Sequence, residues 1–350
     1  MDFFAIISNY THKMKIAFIG IQHWHAKHYY MAVSKLSKYK IVGISDPNQK
    51  TLDQISAHLE APSYTDYREL ITKQKPDFVF IFAPHNELAS TTQFVIDQGI
   101  ACLVEKPGGM NQQEVANFRV QAEKKSLHIA TGFNFRVSDF YKQVMAMIEH
   151  EQVTFASFRF IAGGPARYRE SGNSWMLNPA LSGGGSTINL SVHFFDMFRQ
   201  FTKSEPTEIT SLMGNHTWQL PIEDYSSVIL RSPKALCTVE TGYTFPATPQ
   251  TPFDLRFCVR TNSQYLIATG DGSIEIRKNA THELKTIQTP SNGNAYWYPT
   301  FVEETLSRFD QGKLPIGNLF DLEKAMQIVD LAYASNRSNG STQHYHSTTK

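Results

Sequence analysis

The sequence predicts an α/β chain in two parts: a doubly wound parallel sheet first, then an α+β domain built on a large, mainly antiparallel open-faced sheet. Three observations carry this. A chain of 350 residues is longer than one core comfortably serves. From Lys15 onward short apolar strands alternate with helix-like segments, the rhythm of βαβ units. After about residue 150 the character changes to longer runs of β-type residues, as antiparallel sheets have.

In the first part, strands are expected at Lys15 to Ile19, Ile41 to Ser45, Phe78 to Ala83, Ala101 to Val104 and His128 to Thr131. They are nearly continuous apolar runs, which suits strands covered by helices on both faces. One intervening helix has Asn86 as its cap, Glu87 in the first turn, a face of Leu88, Thr92, Val95 and Ile96, and Gly99 as its stop. A second, Gln112 to Lys125, carries Val115, Phe118 and Ala122 on one stripe and follows the Gly108-Gly109 break.

In the second part, β-type runs span Val153 to Ile161, Glu208 to Asn215, Ser226 to Arg231, Ala235 to Thr241, Asp254 to Arg260, Tyr265 to Thr269 and Ser273 to Arg277. Near the end Leu322, Ala325, Met326, Val329, Ala332 and Tyr333 repeat at helical spacing. The Ser-, Asn- and Gly-rich residues 337–350 behind them read as a disordered tail.

Lys plus Arg (33) nearly balances Asp plus Glu (32), so the chain has no electrostatic footprint for nucleic acid or a membrane surface, and a small molecule is the expected partner. Cys102, Cys237 and Cys258 lie far apart among apolar or β-branched neighbours and read as reduced, buried thiols. The apolar stretch Phe78 to Pro84 is far shorter than the ~20 residues of a membrane helix. Residues 1–13 form an N-terminal extension with an apolar patch, Phe3 to Ile7, but no basic start and no cleavage site. A soluble, cytoplasmic protein is expected.

The first strand ends in Gly20-Ile21-Gln22-His23-Trp24-His25, where a dinucleotide-binding fold places its glycine-rich turn, and Asp46 ends the second strand. Gln22 and His25 stand where the later glycines usually do. A carboxylate at Asp46 can accept both ribose hydroxyl protons and would repel a 2′-phosphate, which favours NAD over NADP. His23, His25 and His28 sit on a turn from which their side chains diverge, so no metal is expected. Glu105-Lys106-Pro107 follows the fifth strand, at the carboxyl edge where open α/β sheets bind ligands. Ser182 to Gly185 leads into a helix from Ile188 to Gln200 with Asn189 and His193 at i and i+4. An imidazole there can move a proton, Asn189 can orient a hydroxyl, and Asp196 is placed to fix the imidazole tautomer.

Taken together, the Gly20 turn, Asp46, Pro84, Glu105-Lys106-Pro107, Gly132-Phe133-Asn134-Phe135-Arg136, Trp175, and Gly183 to Gly185 with His193 resemble the glucose-fructose oxidoreductase and inositol dehydrogenase family, written Gfo/Idh/MocA. The resemblance runs from about Lys15 to Asn336. It implies a Rossmann-type domain at 14–135, with a helix at about 318–336 packed near it, and a substrate-binding and oligomerisation domain at 136–317. It implies an NAD(P)-dependent dehydrogenase or reductase acting on a CH-OH group of a sugar, cyclitol or sugar derivative. Lys106 and His193 would be the catalytic pair, with Asn189 beside them, and the peptide bond before Pro107 would be cis. Cofactor contacts would come from Gly20, Ile21, Gln22, His23, Trp24, His25, Asp46, Pro84, His85, Glu105 and Lys106. Substrate contacts would come from Asn134, Arg136, Tyr168, Trp175, Asn189 and His193, with residues 163–185 as a mobile wall that also carries Arg167 and Arg169. A homodimer or homotetramer through the C-terminal sheet follows from the same resemblance. The chain departs from the family at the glycine-poor turn, at Asn189, where many members have Asp, and at Leu88, where members often place a histidine. Those departures motivate an alternative, a cofactor-binding sensor or regulatory protein with weak catalysis.

Overall fold

The computed structural model describes residues 13–281, 283–289 and 294–346, so the expected extension lies, apart from Lys13, outside the described residues. The first domain runs β1 (Met14–Ile19), α1 (Ala26–Val33), β2 (Tyr39–Ser45), α2 (Gln49–Leu59), β3 (Ser63–Tyr64), α3 (Tyr67–Gln74), β4 (Phe78–Ile81), α4 (His85–Asp97), β5 (Ala101–Val104), α5 (Gln112–Lys124) and β6 (Ile129–Thr131). The six strands are parallel, in the order β3-β2-β1-β4-β5-β6. The order reverses between β1 and β4, so a crevice opens at their carboxyl ends. Every residue of β4 and β5 is buried, which is why these strands are written as unbroken apolar runs.

α4 begins at His85 behind Pro84 and not at an Asn86 cap: the Pro84 carbonyl already accepts the Glu87 and Leu88 amides, so no side-chain cap is needed. α5 starts as a reciprocal pair: Asn111 Oδ1 accepts from the Glu114 amide at 3.0 Å, and Glu114 reaches back to the Met110 amide at 2.8 Å.

The second domain holds α6 (Asp139–Ile148), β7 (Val153–Gly163), the short helices α7 (Ala166–Glu170) and α8 (Pro179–Ser182), then α9 (Val192–Thr202). β8 (Glu208–Gly214), β9 (Tyr225–Arg231), β10 (Leu236–Phe245), β11 (Phe253–Thr261), β12 (Gln264–Thr269), β13 (Ser273–Lys278) and β14 (Leu284–Gln288) follow. With β15 (Gln343–His344) they form a nine-stranded sheet, β14-β13-β12-β11-β7-β10-β9-β8-β15, antiparallel except where β7 meets β10. α9 lies on one face of this sheet, where Phe194 stacks on Phe158 and tilts against Phe257, with ring centroids 5.7 and 5.3 Å apart.

Two expectations about the end of the chain are corrected. Residues assigned to the second domain include α10 (Asn294–Asp310), which returns to the first: Tyr298 and Phe301 meet Tyr29, and Phe309 meets Phe78. Aromatic partners on α1 and β4 override sequence order. After α11 (Leu319–Arg337), which packs on α5, α9 and β8, the residues expected to be disordered are ordered as far as His346. Gln343 pairs with Ile209, the Tyr345 amide donates to the Thr207 carbonyl, and buried Tyr345 bonds Glu205. One buried tyrosine outweighs a polar composition. Residues 347–350 lie outside the described residues.

The three cysteines are free and buried. Among the described residues no helix is long and apolar enough to cross a membrane.

Candidate active site

The cofactor crevice is built at the Gly20 turn. Gly20 has φ +75°, and a Cβ there would lie 1.3 Å from the Phe82 carbonyl oxygen, so β1 and β4 end this close together only with glycine. Asp46 Oδ2 accepts the Gln22 amide and Oδ1 the Asn48 amide, both at 2.9 Å. Burial holds its carboxyl above the ordinary range, and these two amides pull it back down. A groove of about 250 Å³ passes Gly20, Gln22, Asp46, Pro84, Thr91 and Trp175.

At the glycine-poor positions, side chains replace open space with contacts. Gln22 Nε2 donates to the Gly172 carbonyl and the Gln22 carbonyl accepts from Asn173, each at 3.3 Å. The stretch 163–185 is therefore tied across the crevice to the first turn. His25 turns inward, its Nδ1 3.0 Å from Glu105 Oε1. His23 stacks on Trp24 with centroids 3.8 Å apart, and Trp175 packs against both Trp24 and His85. His85 Nδ1 donates to the Ser182 carbonyl at 2.6 Å, and burial pushes its imidazole down to about 3. Burial, reinforced by neighbouring positive charge including Lys106, also holds His23 and His25 well below the ordinary range. These imidazoles are neutral ring partners. Among the described residues no group of three or more His, Cys, Asp or Glu side chains is placed to hold a metal.

Lys106 follows β5, and its bond to Pro107 is cis. Its ammonium is buried and donates to both oxygens of Asn189, the carbonyl at 2.8 Å and Oδ1 at 2.6 Å. Burial lowers Lys106 to about 8, and the adjacent Glu105 carboxylate offsets part of the shift. Glu105 is pushed up by its own burial and takes bonds from His25 and, at 3.4 Å, from Tyr29.

Asn189 belongs to a π-helical turn, Thr187–Ser191, that leads into α9. The three glycines before it are needed for close approach: a Cβ on Gly184 would lie 1.9 Å from the Tyr333 hydroxyl, and one on Gly185 2.0 Å from the Glu223 carbonyl. The Glu223 carboxylate accepts the Gly185 and Thr187 amides at 2.8 and 2.9 Å, placing negative charge at the start of the helix. The Asn189 amide nitrogen donates to the hydroxyls of Tyr168 and Tyr243, both at 2.9 Å. His193 lies among Phe133 and Phe135, its Nδ1 without a partner among the described residues, and burial, then the Lys106 charge, hold it well below its ordinary range.

Two expected roles change. Asp196 does not orient His193: its carboxylate is taken by Arg136, whose Nε lies 2.8 Å from Oδ2. Arg136 is correspondingly not free for substrate, because it also pairs with Asp321 at 2.9 Å and with the Ile316 carbonyl at 2.7 Å, a buried strut beneath the site. Asn134 is buried, and its Oδ1 has no partner among the described residues. Tyr168 and Trp175 both border the site, Trp175 on the crevice side. Tyr243 and Glu223 were not anticipated. Tyr243 continues the buried alternation of Cys237, Val239 and Thr241 along β10, a signal that extending the strand by two residues would have exposed.

Comparison with known proteins divides the chain at the same place. Residues 14–133 match an oxidoreductase family with an NAD-binding Rossmann fold, and residues 141–263 match the GFO/IDH/MocA C-terminal domain. The rhizopine catabolism protein MocA of Rhizobium meliloti is 26% identical over 180 residues, 50% of this chain and 53% of that protein. The chain spans about half the length of the curated relatives it matches. Among solved structures, levoglucosan dehydrogenase in complex with NADH and levoglucosan has a TM-score of 0.84 at 14% identity, covering 95% of this chain and 99% of that one. An oxidoreductase from Agrobacterium radiobacter in complex with NAD+, L-tartaric acid and magnesium has a TM-score of 0.83 at 16% identity, covering 95% and 98%. At such identities the likeness is one of fold.

Proposed function

The chain belongs to the GFO/IDH/MocA family of NAD-binding oxidoreductases, and from that membership we propose that it moves a hydride between NAD and the secondary alcohol carbon of a sugar, cyclitol or sugar derivative. The observation that carries this reading is the buried Lys106 ammonium held by Asn189 at the carboxyl edge of the sheet, with His193 inside its electrostatic reach.

The crevice residues fit the cofactor. Gly20 keeps the turn tight, and Asp46 faces the groove with a carboxylate suited to ribose hydroxyls and unsuited to a 2′-phosphate, which favours NAD over NADP. Bound NAD would supply the carbon that accepts or gives hydride. Lys106 has one N–H beyond its two bonds to Asn189 and would stabilise negative charge on the reacting oxygen. His193 is neutral at pH 7, and its imidazole would accept the hydroxyl proton in the oxidation direction. Two solved relatives of the same fold carry NAD+ or NADH together with a polyhydroxylated ligand, which supports a substrate of that kind.

The same proposal includes a homodimer or homotetramer through the outer face of the nine-stranded sheet. Leu212, Ile229 and Leu236 are exposed there on one face, as the pairing of β8, β9 and β10 requires. No feature of the site favours the regulatory alternative.

The test is a fluorescence titration of the purified protein with NADH and NADPH, followed by a polyol and sugar panel monitored at the reduced-nicotinamide absorbance. Micromolar NADH binding with turnover supports the proposal. Failure of both nucleotides to bind overturns it.

A further inference from the structure

On the far side of Asn189 from Lys106, Arg167, Tyr168 and Tyr243 offer more hydrogen-bond donors than acceptors. Asn189 spends both of its oxygens on Lys106 and both of its amide protons on Tyr168 and Tyr243. The Tyr168 oxygen also accepts from Arg167 Nη2 at 3.0 Å, and the Tyr168 and Tyr243 rings meet edge to face with centroids 5.6 Å apart. Neither phenol donates to a carbonyl or carboxylate among the described residues. Arg167 uses one further N–H on the Gly163 carbonyl at 2.6 Å, so three of its five donors have no partner among the described residues.

Charge runs the same way. Arg167 lies over the Tyr168 and Tyr243 rings, 4.8 and 5.3 Å from their centroids, and its bonds within the described chain go to a carbonyl and a phenol, not to an acid. The carboxylate beside Lys106, Glu105, is already bonded to His25 and Tyr29. At Asn189, where a carboxylate would balance the two cations, the residue is a neutral amide.

We propose that the substrate of this site carries a carboxylate, as an aldonate or uronate does, and that its oxygens accept from Arg167 and from the phenols of the Tyr168–Tyr243 pair. The inference rests on the dehydrogenase reading of the same site. A carboxylate accepts and never donates, whereas each sugar hydroxyl brings a further donor into a site already rich in them. A guanidinium matches it with charge-assisted, two-pronged bonds. The Asn189 side chain separates the two ends: its oxygen faces Lys106 and its nitrogen faces the tyrosines. The carboxylate is therefore held apart from the carbon that reacts.

The experiment is a titration of cofactor-free and NADH-loaded protein with D-gluconate and D-glucuronate against D-glucose and myo-inositol, read by tryptophan fluorescence, since Trp24 borders Tyr168. The acids are expected to bind about 10- to 100-fold more tightly than the neutral compounds, the range of one or two charge-assisted bonds. Arg167→Met should erase that preference and Arg167→Lys keep part of it. Acids that bind no better than neutral sugars to the wild type, or a preference that survives in R167M, overturn the proposal. Turnover of neutral polyols without any preference for acids removes this inference and leaves the dehydrogenase reading standing. Acid binding that needs Arg167, in a protein that binds no NADH, supports the carboxylate site and removes the dehydrogenase reading instead.

Discussion

Lys106 and Asn189 meet twice, the ammonium donating to the Asn189 carbonyl at 2.8 Å and to its Oδ1 at 2.6 Å. Turning the amide over would set its nitrogen against the ammonium, donor against donor, so the lysine fixes which end of Asn189 faces the tyrosines.

That contact sets the expected effect of Asn189→Asp. Burial lowers the Lys106 ammonium to about 8, and a carboxylate beside it would hold the proton more tightly. If the charged form stabilises the reacting oxygen, wild-type kcat/KM should lose activity as pH rises through about 8. In N189D that limb should move to higher pH. Superimposable pH–rate profiles for the two proteins would remove the role given to the Lys106 charge.

His193→Ala should lower turnover by about 10²- to 10⁴-fold, the usual cost of losing a general acid or base. NADH affinity should be nearly unchanged, because among the described residues no hydrogen bond links His193 to the crevice. Steady-state rates and a cofactor titration on the same preparation check both halves; wild-type turnover would exclude the imidazole from the reaction.

Arg136→Ala leaves Asp196 buried with its main partner gone. Breaking one side of a buried ion pair costs about 3–5 kcal/mol, so the thermal midpoint should fall by several degrees. Arg136→Ala therefore tests a structural role, and a variant that melts with the wild type but loses substrate affinity would return Arg136 to the substrate site.

His85 gives a pH dependence of stability with a definite sign. Its folded-state value is held near 3, below the ordinary 6.5 of the unfolded chain. The unfolded state thus takes up the proton first as pH falls, and the stabilisation is complete above about 6.5 and is lost progressively below it. His85→Gln keeps an N–H for the Ser182 carbonyl but does not titrate. The gap between wild-type and H85Q thermal midpoints should shift against the wild type between pH 7.5 and pH 5. A gap independent of pH would contradict the burial argument.

What could be read from the sequence follows how local each signal is. The strands of the first sheet were legible because each is a short apolar run, and Gly20, Lys106, Asn189 and His193 were legible because each ends a strand or opens a helix in a recurrent motif. Asp196 was misread because its spacing places it one turn from His193, whereas its partner Arg136 arrives from a distant segment. Tyr243 was invisible as a site residue because a buried tyrosine in a strand has no local mark of function, and its importance comes from Asn189, 54 positions away. Glu223, which caps the turn before Asn189, sits in a loop with no pattern. The tail was misjudged for a related reason: composition averages over the one residue, Tyr345, that ties it down.

The return of α10 to the first domain also has a meaning for biosynthesis. Tyr29 and Phe78 emerge from the ribosome early, yet the rings that cover them, Tyr298, Phe301 and Phe309, follow more than 200 residues later. At about 5–20 residues per second the roughly 270 residues between Tyr29 and Phe301 take on the order of 15–50 s to make. For that interval the nascent nucleotide-binding domain presents an unclosed aromatic face, a surface for chaperones to hold or for neighbouring nascent chains to seize.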